Sequence, residues 1–561
     1  RMLGYSEKEI YLLSKRIISG QGGHFGNAYN LSYSDIYDFS SDKKSLKKWE
    51  IELHIHHKEL GLSWDEPVPQ DKWDYVSEYC DNDVTATEIV FNECKGDWLA
   101  RLILAKLTGM TPNDTTNSLT GRLIFGENRH PQSEFQWRHM GKADGPVHHD
   151  IIKDGIYYNI GNPEYTIFND KDQPIFPGYE FDQYGNCSYR GENPSKGGLA
   201  RGNPGIYFNL ALLDIASLHP HSAYAERVFG EVFSENFYNL VRARLFIKHK
   251  ELDGLKTLFN GALMEYVTDE ESLGALSQAL KIAINAVYGL TSASFDNLFK
   301  DPNNVDNIVA KRGALFMINL MNEVTDKGYK VVHIKTDSIK IADATLEIIQ
   351  FVMDYGKMYG YTFEHEATYD RICLVGTKKN KDEGRAVYIA KYATLDKCYE
   401  LYGEDYVESE KDICKNNKKH GGEWTATGTE FAVPYIFKTL FSHEELTIYD
   451  YAITKESHKG PIYLDKNELN PDDHNRVFVG KIGQFTPVKN GGGLLVVERA
   501  LPEGEFKYDN VQGSSGYRWL ETEEVIEKGL YNDIDKEYFV QMANAAVNHI
   551  NEYGSFDEFI A

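Results

Sequence analysis

The sequence predicts an α+β multidomain fold, and three observations carry that expectation. The chain has 561 residues, long enough for three to five domains with ample core. Two apolar strands each end on a carboxylate: Ala211-Leu-Leu-Asp-Ile-Ala-Ser-Leu-His-Pro220 presents Asp214, and Val332-His-Ile-Lys-Thr-Asp-Ser-Ile-Lys-Ile341 presents Asp337. Between them, Leu273, Leu276, Leu280, Ile284 and Val287 recur at helical spacing and would pack a helix on its neighbour. Thr268-Asp-Glu-Glu271 has the capping-box spacing that starts such a helix, and Gly289 is its expected stop.

The chemistry follows from those elements. A carboxylate at a strand end holds a cation while the strand stays buried. Lys281, Asn285 and Tyr288 stand at i, i+4 and i+7, so they share one helix face, turned roughly 100° from the apolar stripe. A lysine, an amide and a phenol on one face suit a nucleotide. A nucleoside triphosphate brings about four negative charges, and its in-line displacement is stabilised by two divalent ions roughly 3.5–4 Å apart. Two carboxylates are enough to bridge such a pair, so the order carboxylate, basic helix, carboxylate suggests two-metal phosphoryl transfer.

Composition sets limits. The net charge of −25 runs against a nucleic-acid partner, because phosphate binding leaves a basic footprint. Local clusters offset it: Lys378, Lys379, Lys381, Arg385 and Lys391, then Lys411, Lys415, Lys418 and Lys419. Six cysteines form no Cys-x-x-Cys pair, which points away from zinc sites and disulfide frameworks and towards a reducing cytoplasm. No run of about 18 apolar residues and no signal-peptide pattern is present, so no membrane is expected. His54-Ile-His56-His57 and His148-His149-Asp150 lack matching ligand spacing and read as loop or surface histidines.

Taken together, these segments resemble family B DNA polymerases of bacteriophage type. The family's first palm motif, Asp-x-x-Ser-Leu-Tyr-Pro-Ser, is similar to Asp214-Ile-Ala-Ser-Leu-His219-Pro220-His221. Its finger motif Lys-x-x-x-Asn-Ser-x-Tyr-Gly resembles Lys281-x-x-x-Asn285-Ala-x-Tyr288-Gly289, and its second palm motif Asp-Thr-Asp-Ser resembles Lys335-Thr336-Asp337-Ser338. Gly197-Gly198-Leu-Ala-Arg-Gly looks like the glycine-rich segment joining exonuclease and polymerase regions, and Lys391-Tyr392 like the Lys/Arg-Tyr motif that touches the primer strand.

The resemblance implies a right-hand polymerase of palm, fingers and thumb, with a partial RNase H-like 3′–5′ exonuclease domain and a small C-terminal domain. Residues 1–110 would be the exonuclease remainder, 111–200 the connecting region, 201–235 and 299–380 the palm, 236–298 the fingers, 381–455 the thumb and 456–561 a C-terminal α/β extension. Asp214 and Asp337, with the backbone carbonyl of Ile215, would hold two Mg²⁺, with Mn²⁺ able to substitute. Lys281 would be catalytic and touch the triphosphate, with Arg244, Lys248, Asn285, Tyr288 and His219 also at the nucleotide. Gly197, Gly198, Lys391 and Tyr392 would meet DNA. The implied partners are primer-template DNA and deoxynucleoside triphosphates, in the host cytoplasm if the chain is phage-encoded.

Departures from the family pattern have consequences. Lys335 stands where the family has the first aspartate of Asp-Thr-Asp, and His219 stands at the tyrosine whose ring lies under the incoming sugar. Tyr79-x-x-x-Asp83 is similar to the third exonuclease motif, yet its upstream Asp-x-Glu and Asn-x-x-Tyr-Asp partners have no match before residue 73. Since the chain starts with Arg1, it is expected to begin partway into the exonuclease domain, the missing segment or other replication proteins acting as partners. Beside an active DNA polymerase, a catalytically silent polymerase-like DNA-binding subunit and an unrelated two-metal nuclease stay open; hydrolysis has no need of the Lys281 helix.

Overall fold

The computed structural model describes residues 5–18, 34–62, 66–135, 149–153, 156–160, 167–168, 174–175, 180–181, 187–194, 197–301, 308–376, 384–467, 474–502 and 504–561. Lys378, Lys379, Lys381 and His148 fall outside these residues, and the side chains of His149 and Arg385 are likewise not described. The N-terminal region is helical: α1 (Leu46–Glu52), α2 (Trp73–Glu93), α3 (Lys95–Thr108) and α4 (Thr116–Phe125). Side-chain caps start α1 and α4, where Ser45 and Thr115 accept the amides of Lys48 and Ser118.

Among the described residues the centre is a seven-stranded, wholly antiparallel sheet. Its strands are β1 (Ala200–Gly202), β2 (Gly205–Ile215), β3 (Lys330–Lys335), β4 (Ser338–Ala342), β5 (Phe363–Gly376), β6 (Gly384–Tyr392) and β7 (Trp424–Ala426), ordered β7-β6-β5-β2-β4-β3-β1. The apolar run of β2 is explained by burial on both faces. Ala211, Leu213 and Ile215 enter the large helical core, whereas Leu210 and Leu212 join a smaller cluster with Ala367, Tyr369 and Ala390. That two-residue alternation places Asp214 on the face of Leu210 and Leu212. The sheet continues past residue 380, since β6 pairs with β5 and β7 with β6.

Helices that share the large core with this sheet include α5 (Leu218–Ala225), α6 (Gly230–Lys248), α7 (Glu270–Thr291) and α8 (Ile308–Asp326). The stripe expected on α7 is largely buried, with Leu276, Leu280, Ile284 and Val287 enclosed and Leu273 partly so, against α3, α4 and α6. Two details of its ends differ from expectation. Asp269, not Thr268, is the N-cap, accepting from the Ser272 amide at 2.8 Å, and the helix runs through Gly289 to Thr291 because a following turn of packed residues outweighs one glycine. This helix is long and apolar enough to cross a membrane by length and composition, but its apolar side is filled by protein.

Beyond the central sheet come α9 (Lys415–His420), α10 (Thr522–Glu527), α11 (Glu537–Asn551) and two small antiparallel sheets. The segment Arg476–Val488 holds two strands. Gly480 takes a left-handed φ of 105°, so 476–480 pairs with Ile462–Asp465 while 482–488 pairs with Ile453–Glu456 and Arg518–Glu521. A further strand runs from Leu494 to Ala500 and pairs with Ile462–Asp465.

Candidate active site

β2 and the β3–β4 turn carry the two aspartates to one place. Thr336 and Asp337 form that turn: Thr336 has φ 57°, and the Asp337 amide donates to the Lys335 carbonyl at 2.7 Å. The Ile215 amide then donates to the Asp337 carbonyl at 2.8 Å, tying the turn to the end of β2. The glycine-rich segment holds the other side, where the Thr336 amide donates to the Leu199 carbonyl at 2.7 Å. Gly198 has φ 134°, and a Cβ there would stand 3.2 Å from Thr336 Cγ2. Only glycine meets both conditions without displacing the turn.

Pairing adds carboxylates that the sequence reading missed. Asp214 faces Ser338 on β4 and Glu364 on β5. A register shift between His365 and Ala367 inserts Glu366 as the extra residue of a bulge, a device that re-aims a side chain. Asp214 is pushed up to about 7, first by burial and then by Asp337, Glu366 and Glu364, with Lys415 opposing. Burial also raises Asp337. Among the described residues, neither aspartate has an ion-pair partner.

The cations stand around the rim. Lys415 Nζ is 2.8 Å from Glu366 and 3.3 Å from Glu364, while Lys248 on α6 pairs with Glu364 and lies 3.8 Å from Asp412. Arg244, one turn before Lys248, is lowered by burial, with Glu364 opposing. Lys340 stands beneath the carboxylates, 4% exposed, 3.2 Å from His333 Nδ1 and 5.0 Å from the centre of the Tyr388 ring. Burial and Lys335 lower it to about 8 against the pull of Asp214, Glu366 and Asp337. Oxygen donors from Asp214, Asp337, Glu364 and Glu366 fit a hard divalent cation.

The Lys281–Tyr288 face lies on α7, and its last residue meets the start of α5. The rings of His219 and Tyr288 are stacked, with centroids 3.8 Å apart and planes 1° from parallel, which fixes the end of α7 against the start of α5. Asn285 and Lys281 follow on the same face and are exposed. Burial lowers His219 to about 4, so its imidazole is neutral, and its Nδ1 has no hydrogen-bond partner among the described residues.

The structure separates other expected residues. Lys391 and Tyr392 end β6, two strands from Asp214, with Lys391 Nζ 5.5 Å from the Trp424 ring centre and Tyr392 stacked near Tyr369 at 5.1 Å. Tyr79 and Asp83 lie on α2, where Lys47 Nζ is 2.6 Å from Asp83 and 4.7 Å from the Tyr79 ring centre. Of the second basic cluster, Lys415 reaches the site, whereas Lys418 donates to the Val407 and Glu410 carbonyls.

No family model matches this sequence, and no curated protein matches it. Among solved structures it is similar to the family B DNA polymerase from the hyperthermophilic archaeon Pyrobaculum calidifontis, at 14% identity and a TM-score of 0.37. That alignment covers 92% of this chain and 63% of the other, so the chain spans less than two thirds of that polymerase's length.

Proposed function

We propose that this chain is a template-directed DNA polymerase of bacteriophage family B type, adding deoxynucleotides to a primer 3′ end by two-metal phosphoryl transfer. The observation that carries this reading is the joining of Asp214 and Asp337 by the Ile215–Asp337 hydrogen bond, in a carboxylate cluster beside the stacked His219–Tyr288 pair. In this reading β1–β5 form most of the palm, α6 and α7 the fingers, and Lys391, Tyr392 and the Gly197–Gly198 segment meet DNA.

Two Mg²⁺ ions would be held by Asp214, Asp337 and the Ile215 carbonyl, with Glu364 and Glu366 close by, and would stabilise charge on the attacking and leaving oxygens. The chain's own groups supply the rest. Lys281 meets the triphosphate from α7 and neutralises charge that grows as pyrophosphate departs. Arg244 and Lys248 orient the phosphates from α6, with Glu364 positioning Lys248. His219, neutral and flat against Tyr288, bounds the sugar side of the pocket.

A catalytically silent DNA-binding subunit is the second reading. Lys335, in place of an acidic residue two positions before Asp337, favours it. The test is extension of a primed template with deoxynucleotides and Mg²⁺. Extended product supports the polymerase; tight binding of the same duplex without extension, in Mg²⁺ and in Mn²⁺, supports the silent subunit.

A further inference from the structure

The His54-Ile-His56-His57 stretch has no role in polymerisation, yet the fold draws it against the C-terminal region. The His54 ring stacks on Tyr449 with centroids 3.7 Å apart. His57 Nδ1 lies 3.0 Å from Glu50 and its Nε2 3.2 Å from the Ile482 carbonyl. His56 Nδ1 meets Glu523, and the His57 amide donates to the same carboxylate at 3.4 Å. Glu523 and Glu527 are one turn apart on α10, so both carboxylates face His56.

The geometry suits an ion. The ligand atoms of His56, Glu523 and Glu527 lie within 4.8 Å of one another, so small side-chain rotations would bring all three to about 2.0–2.2 Å from one centre. Next to them is a cavity of about 200 Å³ whose walls include Glu50, Glu521, Glu523, Glu527, His54 and His57, with no lysine or arginine among them. Glu521 makes no side-chain hydrogen bond or ion pair among the described residues, and burial, with Glu524 and Glu523 nearby, raises its carboxyl above the usual range. The acidic wall draws on two distant parts of the chain; Lys47 Nζ, 3.1 Å from Glu50, offsets one of its carboxylates, and Lys466 pairs with Glu524 beside it.

We propose that His56, Glu523 and Glu527 bind a first-row divalent cation, with zinc the best fit, and that the ion fastens the N-terminal helical region to the C-terminal domain. One imidazole nitrogen with two carboxylate oxygens is a zinc-type donor set and leaves a fourth position for water. Because the ligands lie more than 460 residues apart in sequence, the ion bridges chain segments that only the fold unites. The site is independent of the carboxylates on the central sheet.

The test uses the full chain, stripped with chelator and titrated with Zn²⁺ by calorimetry in an Asp214→Asn/Asp337→Asn background, which removes competition from the central cluster. One saturable site is expected there, weakened at least tenfold by His56→Ala and by Glu527→Gln. Zn²⁺ should raise Tm in that background and not in either further variant. His56 and Glu527 are exposed, so both substitutions leave the core intact, and circular dichroism checks that. Absence of a saturable site, or an unchanged affinity in both variants, overturns the assignment and leaves His56–Glu523 as a surface ion pair.

Discussion

Around Asp83 and around Asp214 the chain gathers carboxylates, but it neutralises the two clusters differently. In the N-terminal region Lys47 Nζ sits 2.6 Å from Asp83 and 3.1 Å from Glu50, a residue with no exposed surface that also meets His57. Burial opposes the Lys47 charge, yet Asp83 and Glu50 hold its ammonium above the ordinary lysine range. On the central sheet Lys248 and Lys415 pair with Glu364 and Glu366, Lys340 lies buried below, and burial still pushes Asp214 up to about 7. A carboxylate cluster calls for an external cation when its own chain does not fill it. By that criterion the central cluster is the one proposed to hold metal, whereas Asp83 is closed in an ion pair with Lys47.

The largest effect expected is at the centre. Asp214→Asn and Asp337→Asn should each slow extension a thousandfold or more, about 4 kcal/mol of transition-state stabilisation, while duplex binding persists. Single-turnover extension measures this, and near-normal rates would erase the distinction between the two clusters. Lys281→Ala should cost roughly a hundredfold in incorporation rate. Arg244→Ala and Lys248→Ala should act mainly on the nucleotide concentration required, with the smaller change at Lys248 because Glu364 holds it. Equal rates for Lys281→Ala and the unsubstituted protein would leave α7 as packing only.

At the sugar, His219→Ala should raise ribonucleotide incorporation by roughly 10–200-fold, the range one packing contact supplies, and His219→Tyr should lower it. Competitive single-nucleotide incorporation gives the ratios; unchanged values would remove His219 from the sugar pocket. The smallest effect concerns acid stability. Burial lowers His219 to about 4 and His333 and His365 to about 3, with Lys340 and Lys335 also acting on His333. These imidazoles are neutral when folded and take up protons on unfolding below the ordinary histidine value of 6.5. Their contribution is therefore present above pH 6.5 and lost as pH falls towards 4 and 3. Urea midpoints should fall between pH 7 and pH 4.5, and less steeply in His219→Phe; identical slopes would contradict the shift at His219.

Local pattern made part of this legible in the sequence. Asp214 near its strand end, the α7 stripe and the Lys281–Tyr288 face follow from periods of two and 3.6, whereas Asp337 stands in the turn between β3 and β4 rather than at the end of one strand. Glu364 and Glu366 were not legible, because only the β2–β5 register and a bulge set them beside Asp214. Lys47 was missed for a related reason: Asp83 showed a helix face, while its partner came from 36 residues earlier on another helix. His56 and Glu523 mark the limit, since nothing in local spacing links them.

The most direct test compares Asp337→Asn with Asp83→Asn and Lys47→Met in one assay of primer extension and single-stranded DNA degradation, with Mg²⁺ and again with Mn²⁺. Extension should vanish in Asp337→Asn and stay within about twofold of the unsubstituted rate in the other two, since an ion pair remote from the reacting phosphate adds little to k at fixed substrate. Lys47→Met should instead lose about 3 kcal/mol of stability by leaving Glu50 buried without its ammonium. No protein in the set should degrade single strands. Extension that survives Asp337→Asn, or degradation that disappears with Asp83→Asn, would contradict the assignment of the metal site to the central sheet.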